Sequence, residues 1–194
     1  MQILVLSGSR NPQGKTAQAI NAVRRGITAA GGESECLFLP ELKLERCRQC
    51  EADGWGLCRK EGRCIIEDDF PSLVEKIKSS AVVVFANPVY YGDLSESMRG
   101  FLDRLRRIRF RRNAPVLPAG IPAIGLCYAG GSGNGAPNCC ASLERVLQMC
   151  GFDIVDMVPL RRQNLDVKLP VLELTGRWLV TRPTSGPPLM PPVR

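Results

Sequence analysis

The sequence predicts an α/β fold, one doubly wound sheet of five parallel strands with helices on both faces. Three observations predict it. Apolar runs of strand length alternate with segments whose apolar residues recur at helical spacing. The run at 81–85, AVVVF, is continuous and β-branched, as a strand covered on both faces requires. Polar, Gly- and Pro-rich connections separate the runs, and parallel neighbours joined this way take right-handed crossovers.

The elements follow in order. Ile3, Leu4, Val5 and Leu6 form a short buried strand bounded by Gly8. Ala19, Ile20, Val23 and Ile27 then line one face of a helix that Gly31 and Gly32 close. Residues 34–39 (SECLFL) are a second strand ending at Pro40. Residues 41–69 are polar and rich in Cys and Gly, far longer than a usual connection of about 4–6 residues, and read as a functional excursion. A helix spans 70–79 through Phe70, Leu73, Val74 and Ile77, with Asp68 and Asp69 placed to cap it. After the strand at 81–85 and a loop at 87–93, a helix starts at Ser95 and carries Met98, Phe101, Leu102 and Leu105 on one face. The next strand is 121–128, followed by a Gly-rich loop at 129–137. Leu143, Val146, Leu147 and Cys150 mark a helix closed at Gly151, 152–160 a last strand, and 171–180 a terminal helix. Residues 1–182 are thus read as one domain, and the Pro-rich stretch 183–194 as a flexible tail.

Composition narrows the chemistry. A 194-residue chain with 44% hydrophobic and 23% charged residues can bury a core without staples. No apolar run approaches the roughly 20 residues of a membrane span, so no membrane partner is expected. The N-terminus enters a strand directly, with no basic-then-apolar leader, and the expected compartment is the cytoplasm. In that compartment nine cysteines point to thiols or metal rather than disulfides. The chain has no histidine, which excludes His-based triads, His general bases and His-containing metal sites. Much of the formal charge of +7 sits in RLRRIRFRR at 104–112, with few aromatics and no recognised nucleic-acid motif. Six arginines at 104, 106, 107, 109, 111 and 112 cannot share one helix face, so much of the run is expected in solvent. No nucleic-acid partner is expected; its test is DNA binding at low salt.

In such sheets ligands bind beyond the C-terminal strand edges, where the loops after the first, third and fourth strands meet. The first is a strand–loop–helix turn suited to a phosphate: a helix N-terminus, hydroxyls at Ser7, Ser9 and Thr16, and charge at Arg10 and Lys15. Two phosphate loops fit it. The Walker pattern is nearly met by SRNPQGKT, but Ser9 replaces its first Gly, Pro12 removes an N–H, and the strand at 81–85 ends without an acid for magnesium. The alternative is a metal-free loop that holds a flavin mononucleotide (FMN) phosphate through backbone N–H groups and hydroxyls. A turn with no ligand is the remaining reading. In the loop after the third strand Pro88 fixes the entry, Gly92 permits a tight backbone, and Tyr90 and Tyr91 offer ring faces to a flat heteroaromatic.

Together GSRNPQGKT, NPVYYGDLSESMRGFLDR and AGGSGNG resemble the NAD(P)H-dependent FMN reductase family of flavodoxin-like proteins, over roughly 1–181. The cysteine loop is similar to that of its iron–sulfur flavoprotein branch. The resemblance implies that Ser7, Ser9, Arg10, Gln13, Gly14, Lys15 and Thr16 surround the FMN phosphate. It implies that Pro88, Val89, Tyr90, Tyr91, Gly92 and Ser95 border the isoalloxazine and ribityl chain, and that Ala129, Gly130, Gly131, Ser132 and Gly133 form the third wall. The implied function is an FMN-dependent oxidoreductase passing electrons from NAD(P)H, or from an acidic ferredoxin-like donor, to a quinone, a flavin or oxygen. The implied assembly is a homodimer or homotetramer. Cys47, Cys50, Cys58 and Cys64 supply four thiolates in a short span, with three readings: a [4Fe–4S] cluster, a structural zinc, or free thiols. Seven residues separate the second and third Cys, where iron–sulfur flavoproteins have two. Cys127, Cys139, Cys140 and Cys150 read as core positions.

Overall fold

The computed structural model describes residues 1–109 and 116–182. Five strands, β1 (Gln2–Ser7), β2 (Glu33–Phe38), β3 (Val82–Pro88), β4 (Pro122–Ala129) and β5 (Asp153–Arg161), form one sheet in the order β2-β1-β3-β4-β5. Every neighbouring pair is parallel. Helices α1 (Lys15–Ala29), α2 (Leu57–Lys60), α3 (Phe70–Ser79), α4 (Glu96–Arg109), α5 (Ala136–Cys150) and α6 (Leu165–Thr181) complete the described elements, with short 3-10 turns at Leu39–Glu41 and Arg162–Asn164. The expected flavodoxin-like architecture is therefore observed.

Alternate residues of each strand feed two cores. Ile3 and Val5 of β1 with Val82 and Val84 of β3 pack against α1 and α6 through Ile20, Val23, Ile27, Leu172 and Leu179. Leu4, Leu6, Val83 and Phe85 pack the other way, against α3, α4 and α5 through Leu73, Ile77, Phe101, Leu105 and Leu143. The strand order reverses between β1 and β3, so their C-terminal ends open a crevice.

Three differences from the sequence expectation have local causes. The terminal helix begins at Leu165, not at 171. Pro170 costs one backbone bond, but Leu165 and Leu172 are both buried on the sheet and carry the helix across it. Asp69 does not cap α3; its carboxylate accepts the Lys43 N–H at 2.7 Å, while Asp68 accepts the Phe70 N–H at 3.1 Å. The arginine run is not mainly solvated where it is described: Arg104 is 2% exposed. Arg107 donates to the Gly54 carbonyl at 2.6 Å and lies over the Trp55 ring. Arg111, Arg112 and the tail 183–194 lie outside the described residues.

Candidate functional site

The loops after β1, β3 and β4 enclose a cleft of about 680 Å3. Its first wall is built by local hydrogen bonding. Ser7 Oγ accepts the Ser9 N–H at 3.2 Å, Ser9 Oγ accepts the Asn11 N–H at 3.2 Å, and Asn11 Oδ1 accepts the Gln13 N–H at 2.9 Å. These short side chains consume loop donors and leave the first turn of α1 facing the cleft at Lys15 and Thr16. That turn carries no acidic residue, so the positive end of the helix is uncompensated.

The second wall is a hairpin. Tyr90 and Asp93 exchange backbone hydrogen bonds at 3.0 and 2.9 Å around Tyr91 and Gly92. Both turn residues have positive φ, 52° and 78°, the backbone of a type I′ turn. Gly pays little for this and a tyrosine pays more, so Tyr91 is held out against local strain, wholly exposed at the cleft mouth. Asn87 anchors the hairpin from below. Fully buried, it accepts the N–H of Ser95 at 3.1 Å and its hydroxyl at 2.9 Å, and donates to the Pro88 carbonyl at 2.7 Å. A Walker-type site would need a carboxylate at this strand end; here an amide is locked to its neighbours.

The third wall is the loop after β4. Gly135, at φ 83°, caps α5, whose first turn also lacks acidic residues. A Cβ at Gly135 would stand 2.6 Å from Gly92 Cα, so the second and third walls touch through two glycines. Two helix N-termini, α1 and α5, thus open on one crevice.

Of the phosphate-loop residues named from the sequence, Ser9, Gly14, Lys15 and Thr16 line the cleft. So do Pro88, Val89, Tyr90, Tyr91 and Gly92, and on the third side Ala129, Gly130, Gly131 and Ser132. Ser7 and Ser95 are buried beneath the lining as supports. Arg10 is an exposed residue paired with Glu96, Gln13 faces solvent, and Gly133 sits behind the wall against the Gln163 side chain. Sequence reasoning missed Asn11, Tyr128, Asn134 and Gly135, which also line the cleft. Carrying the Gly-rich motif on to the start of α5 would have found the last two; Tyr128 needed the rule that strand C-terminal edges face ligands.

A second, smaller cavity of about 20 Å3 is lined by all four excursion cysteines, Cys47, Cys50, Cys58 and Cys64. The excursion is closed at its base where Asp68 Oδ2 accepts the Glu45 N–H at 2.9 Å. Arg104, from α4, forks onto Asp68 at 2.5 and 2.9 Å, donates to the Glu45 carbonyl at 3.0 Å, and stacks on Phe70. Burial opposes the Arg104 charge, but the hydrogen bonds to the Asp68 carboxylate outweigh it and hold its pKa above the ordinary value. Burial would raise the Asp68 pKa; the Arg104 guanidinium and the Glu45 and Phe70 N–H groups reverse that and hold it low.

The donor set fits a thiolate-bound metal centre. Four soft ligands and the cations Arg48, Arg104 and Arg107 surround the cavity, with no carboxylate in its lining. Arg104 Nε is buried there without a hydrogen-bond partner among the described residues. Among those residues no three ligating side chains are gathered closely enough to hold a metal ion. A cube spreads its thiolates over separate irons, so its ligands stand farther apart. The space now holds about one water, and a cube requires the loop to move outward.

Comparison with known proteins agrees with this geometry. The family profile described as NADPH-dependent FMN reductase matches residues 1–164. The chain belongs to that family. Within it, the chain is 29% identical over 131 residues to an iron–sulfur flavoprotein of Methanocaldococcus jannaschii, covering 68% of this chain and 65% of that one. It is 28% identical over 138 residues to an iron–sulfur flavoprotein of Methanosarcina thermophila, covering 70% and 66%. The matches thus span about two thirds of the length of these curated relatives. Among solved structures, the NAD(P)H:quinone oxidoreductase from Methanothermobacter marburgensis superposes with a TM-score of 0.68 at 19% identity, over 92% of this chain and 96% of that one. An archaeal flavodoxin gives a TM-score of 0.58 at 14% identity, over 94% and 100%. These likenesses show the fold. Among the described residues no helix is long and apolar enough to cross a membrane.

Proposed function

We propose that the chain binds FMN in the large cleft and passes electrons from NAD(P)H, or from a ferredoxin-like donor, to a small acceptor such as a quinone, a free flavin or oxygen. The observation that carries this reading is the convergence of two acid-free helix N-termini and a tyrosine hairpin on one crevice. Its volume falls in the range of small-molecule sites, about 300–1,000 Å3. The α1 end, with Ser9 and Thr16, suits a phosphate dianion without metal. The hairpin from Pro88 to Gly92, braced by Asn87 and Ser95, presents backbone and ring faces where a flat heterocycle would lie. Bound FMN supplies both hydride and single-electron chemistry, while the protein binds, orients and leaves one side open past Tyr91. The reading extends to a homodimer or homotetramer in which a second copy closes that side, checked by sedimentation with and without FMN. The primary test is titration of flavin-free protein with FMN, followed by anaerobic bleaching with NADH and NADPH. One tightly bound FMN per chain, bleached by a pyridine nucleotide, supports the reading; failure to bind FMN refutes it.

A second reading concerns the cysteine cavity. The unpartnered Arg104 Nε and the cationic lining favour an anionic centre there, and the curated relatives named above are called iron–sulfur flavoproteins. Cys47, Cys50, Cys58 and Cys64 would hold a [4Fe–4S] cluster, which would give the protein a one-electron partner to the flavin. Visible absorption of anaerobically purified protein, with iron and sulfide assayed on the same sample, decides it. Flavin bands without iron leave a plain FMN reductase with a cysteine-rich loop.

A further inference from the structure

Helix α6 is apolar on two opposite faces. Leu165, Leu172, Gly176 and Leu179 are buried toward α1 and the sheet, where a Cβ on Gly176 would collide with the Val23 carbonyl. On the far side Val167, Val171, Leu174 and Trp178 are 68%, 47%, 65% and 44% exposed. At 3.6 residues per turn these four fall within about 60° of one another, in a stripe roughly 16 Å long. The other large apolar side chains exposed among the described residues are Met1, Ile65 and the cleft pair Tyr90 and Tyr91. A helix that is apolar all round is ordinarily covered all round, and a contiguous exposed stripe marks an interaction surface.

Two features of the stripe point to a second copy of this chain as its cover. Its spacing of four, three and four residues is that of a two-helix seam. The same spacing reads alike in both directions, so the stripe is self-complementary under a two-fold axis. Laid antiparallel on a second copy, Trp178 meets Val167 and Leu174 meets Val171, a larger side chain opposite a smaller one at each level. The flanking charges select this direction. In the antiparallel pair Lys168 stands beside Thr175 of the second copy and Arg177 beside its Pro170. In a parallel pair Arg177 would stand beside Arg182 of the second copy, like charges at the edge of an apolar contact.

We propose that the stripe is an isologous interface, covered by α6 of a second copy in antiparallel orientation. The proposal does not rest on the flavin reading. Tyr91 follows the C-terminal end of β3, whereas the stripe runs along the outside of α6, so this face is distinct from the open side of the cleft. Use of both faces builds a dimer of dimers.

Sedimentation equilibrium of the full chain, with and without FMN, tests it. Wild type is expected to self-associate reversibly. Val171→Glu and Leu174→Lys each put a charge into the seam and are expected to weaken that association by roughly tenfold or more. Both positions are exposed, so thermal melts of the dilute variants should match wild type. The antiparallel register sets position 171 of one copy against 174 of the other. An equimolar mixture of the two variants then places the new acid against the new base at one contact and leaves native Leu174 on native Val171 at the other. Association is expected to recover in the mixture, which a parallel register forbids. A wild type that stays monomeric at every concentration overturns the proposal and leaves the stripe to another occupant. Association that neither variant weakens overturns it too, by placing the interface elsewhere, and weakening without recovery in the mixture overturns the antiparallel register. Failure to bind FMN refutes the flavin reading alone, since the association is measured without it.

Discussion

Arg104 and Asp68, on α4 and at the end of the cysteine excursion, form a two-point ion pair at 2.5 and 2.9 Å with side chains only 2% and 4% exposed. Buried this deeply, the pair is strongly coupled, and removing one partner leaves the other charged in a dry site. Asp68→Ala is therefore expected to destabilise the fold by about 3–5 kcal/mol. Limited proteolysis should then cut within 43–67 before any other described segment. The pH dependence has a definite sign. The folded-state pKa of Asp68 lies below its ordinary 3.8, so its stabilising contribution is complete above that value and is lost as pH falls through the depressed one. Asp68→Asn should flatten this acid limb in thermal melts, and an unchanged limb would place the acid sensitivity elsewhere.

The contact between Gly92 and Gly135 makes the cleft sensitive to a single methyl group. Gly135 has φ 83°, and an added Cβ would meet Gly92 Cα at 2.6 Å. Gly135→Ala is expected to push the hairpin away from the α5 N-terminus and weaken FMN binding by roughly tenfold or more, a loss of at least about 1.4 kcal/mol. The positive φ and the backbone clash also strain the flavin-free fold, so its thermal stability should fall too, and affinity is measured where the variant is folded. A titration with wild-type affinity would show that the two walls need not meet around the ligand.

Ser9 and Thr16 present hydroxyls beside the α1 N-terminus. Replacing both with Ala removes two expected donors to the phosphate, each worth about 0.5–1.5 kcal/mol net, or 1.5–3 kcal/mol to a charged group. The FMN dissociation constant is expected to rise by roughly one to three orders of magnitude. Riboflavin, which lacks the phosphate, should bind wild type and variant alike. If both flavins lose affinity equally, the substitutions act through loop folding rather than through phosphate contact.

Much of this architecture is legible in the sequence because it rests on local pattern. The β-branched 81–85 run and the 3.6-residue spacing in 70–79 predict β3 and α3 without reference to distant residues. The cleft walls are legible for the same reason, since a loop of short polar residues before a helix and a Tyr-Gly turn declare their backbone chemistry locally. Arg104 is not, because its role depends on Asp68, 36 residues earlier, and a charge run by itself points to solvent. Pro170 misleads in the opposite direction: its local signal is real, but burial of Leu165 and Leu172 is a tertiary effect that overrides it. The closeness of α1 and α6 is likewise invisible, although a Cβ on Gly26 would collide with the Glu173 carbonyl and one on Gly176 with that of Val23.

The buried thiols and the excursion thiols should separate chemically. Burial pushes Cys150 up to about 12, and hydrogen bonds with Cys139 and Cys140, then burial, push Cys127 far up as well. Alkylation proceeds through the thiolate, so at pH 8 iodoacetamide should label exposed Cys50 and half-buried Cys47, Cys58 and Cys64 in metal-free protein while sparing Cys127 and Cys150. A linked stability effect follows. An acid whose folded pKa is raised contributes fully below its ordinary value, here 9.0, and its contribution is lost as pH rises from there toward about 12. Alkaline melts of wild type should therefore decline across that window, and Cys150→Ala, though less stable at pH 7, should decline less steeply. If Cys150 is labelled at pH 8 as fast as Cys50, then α5 opens locally in solution and the core beneath the third wall of the cleft is not closed.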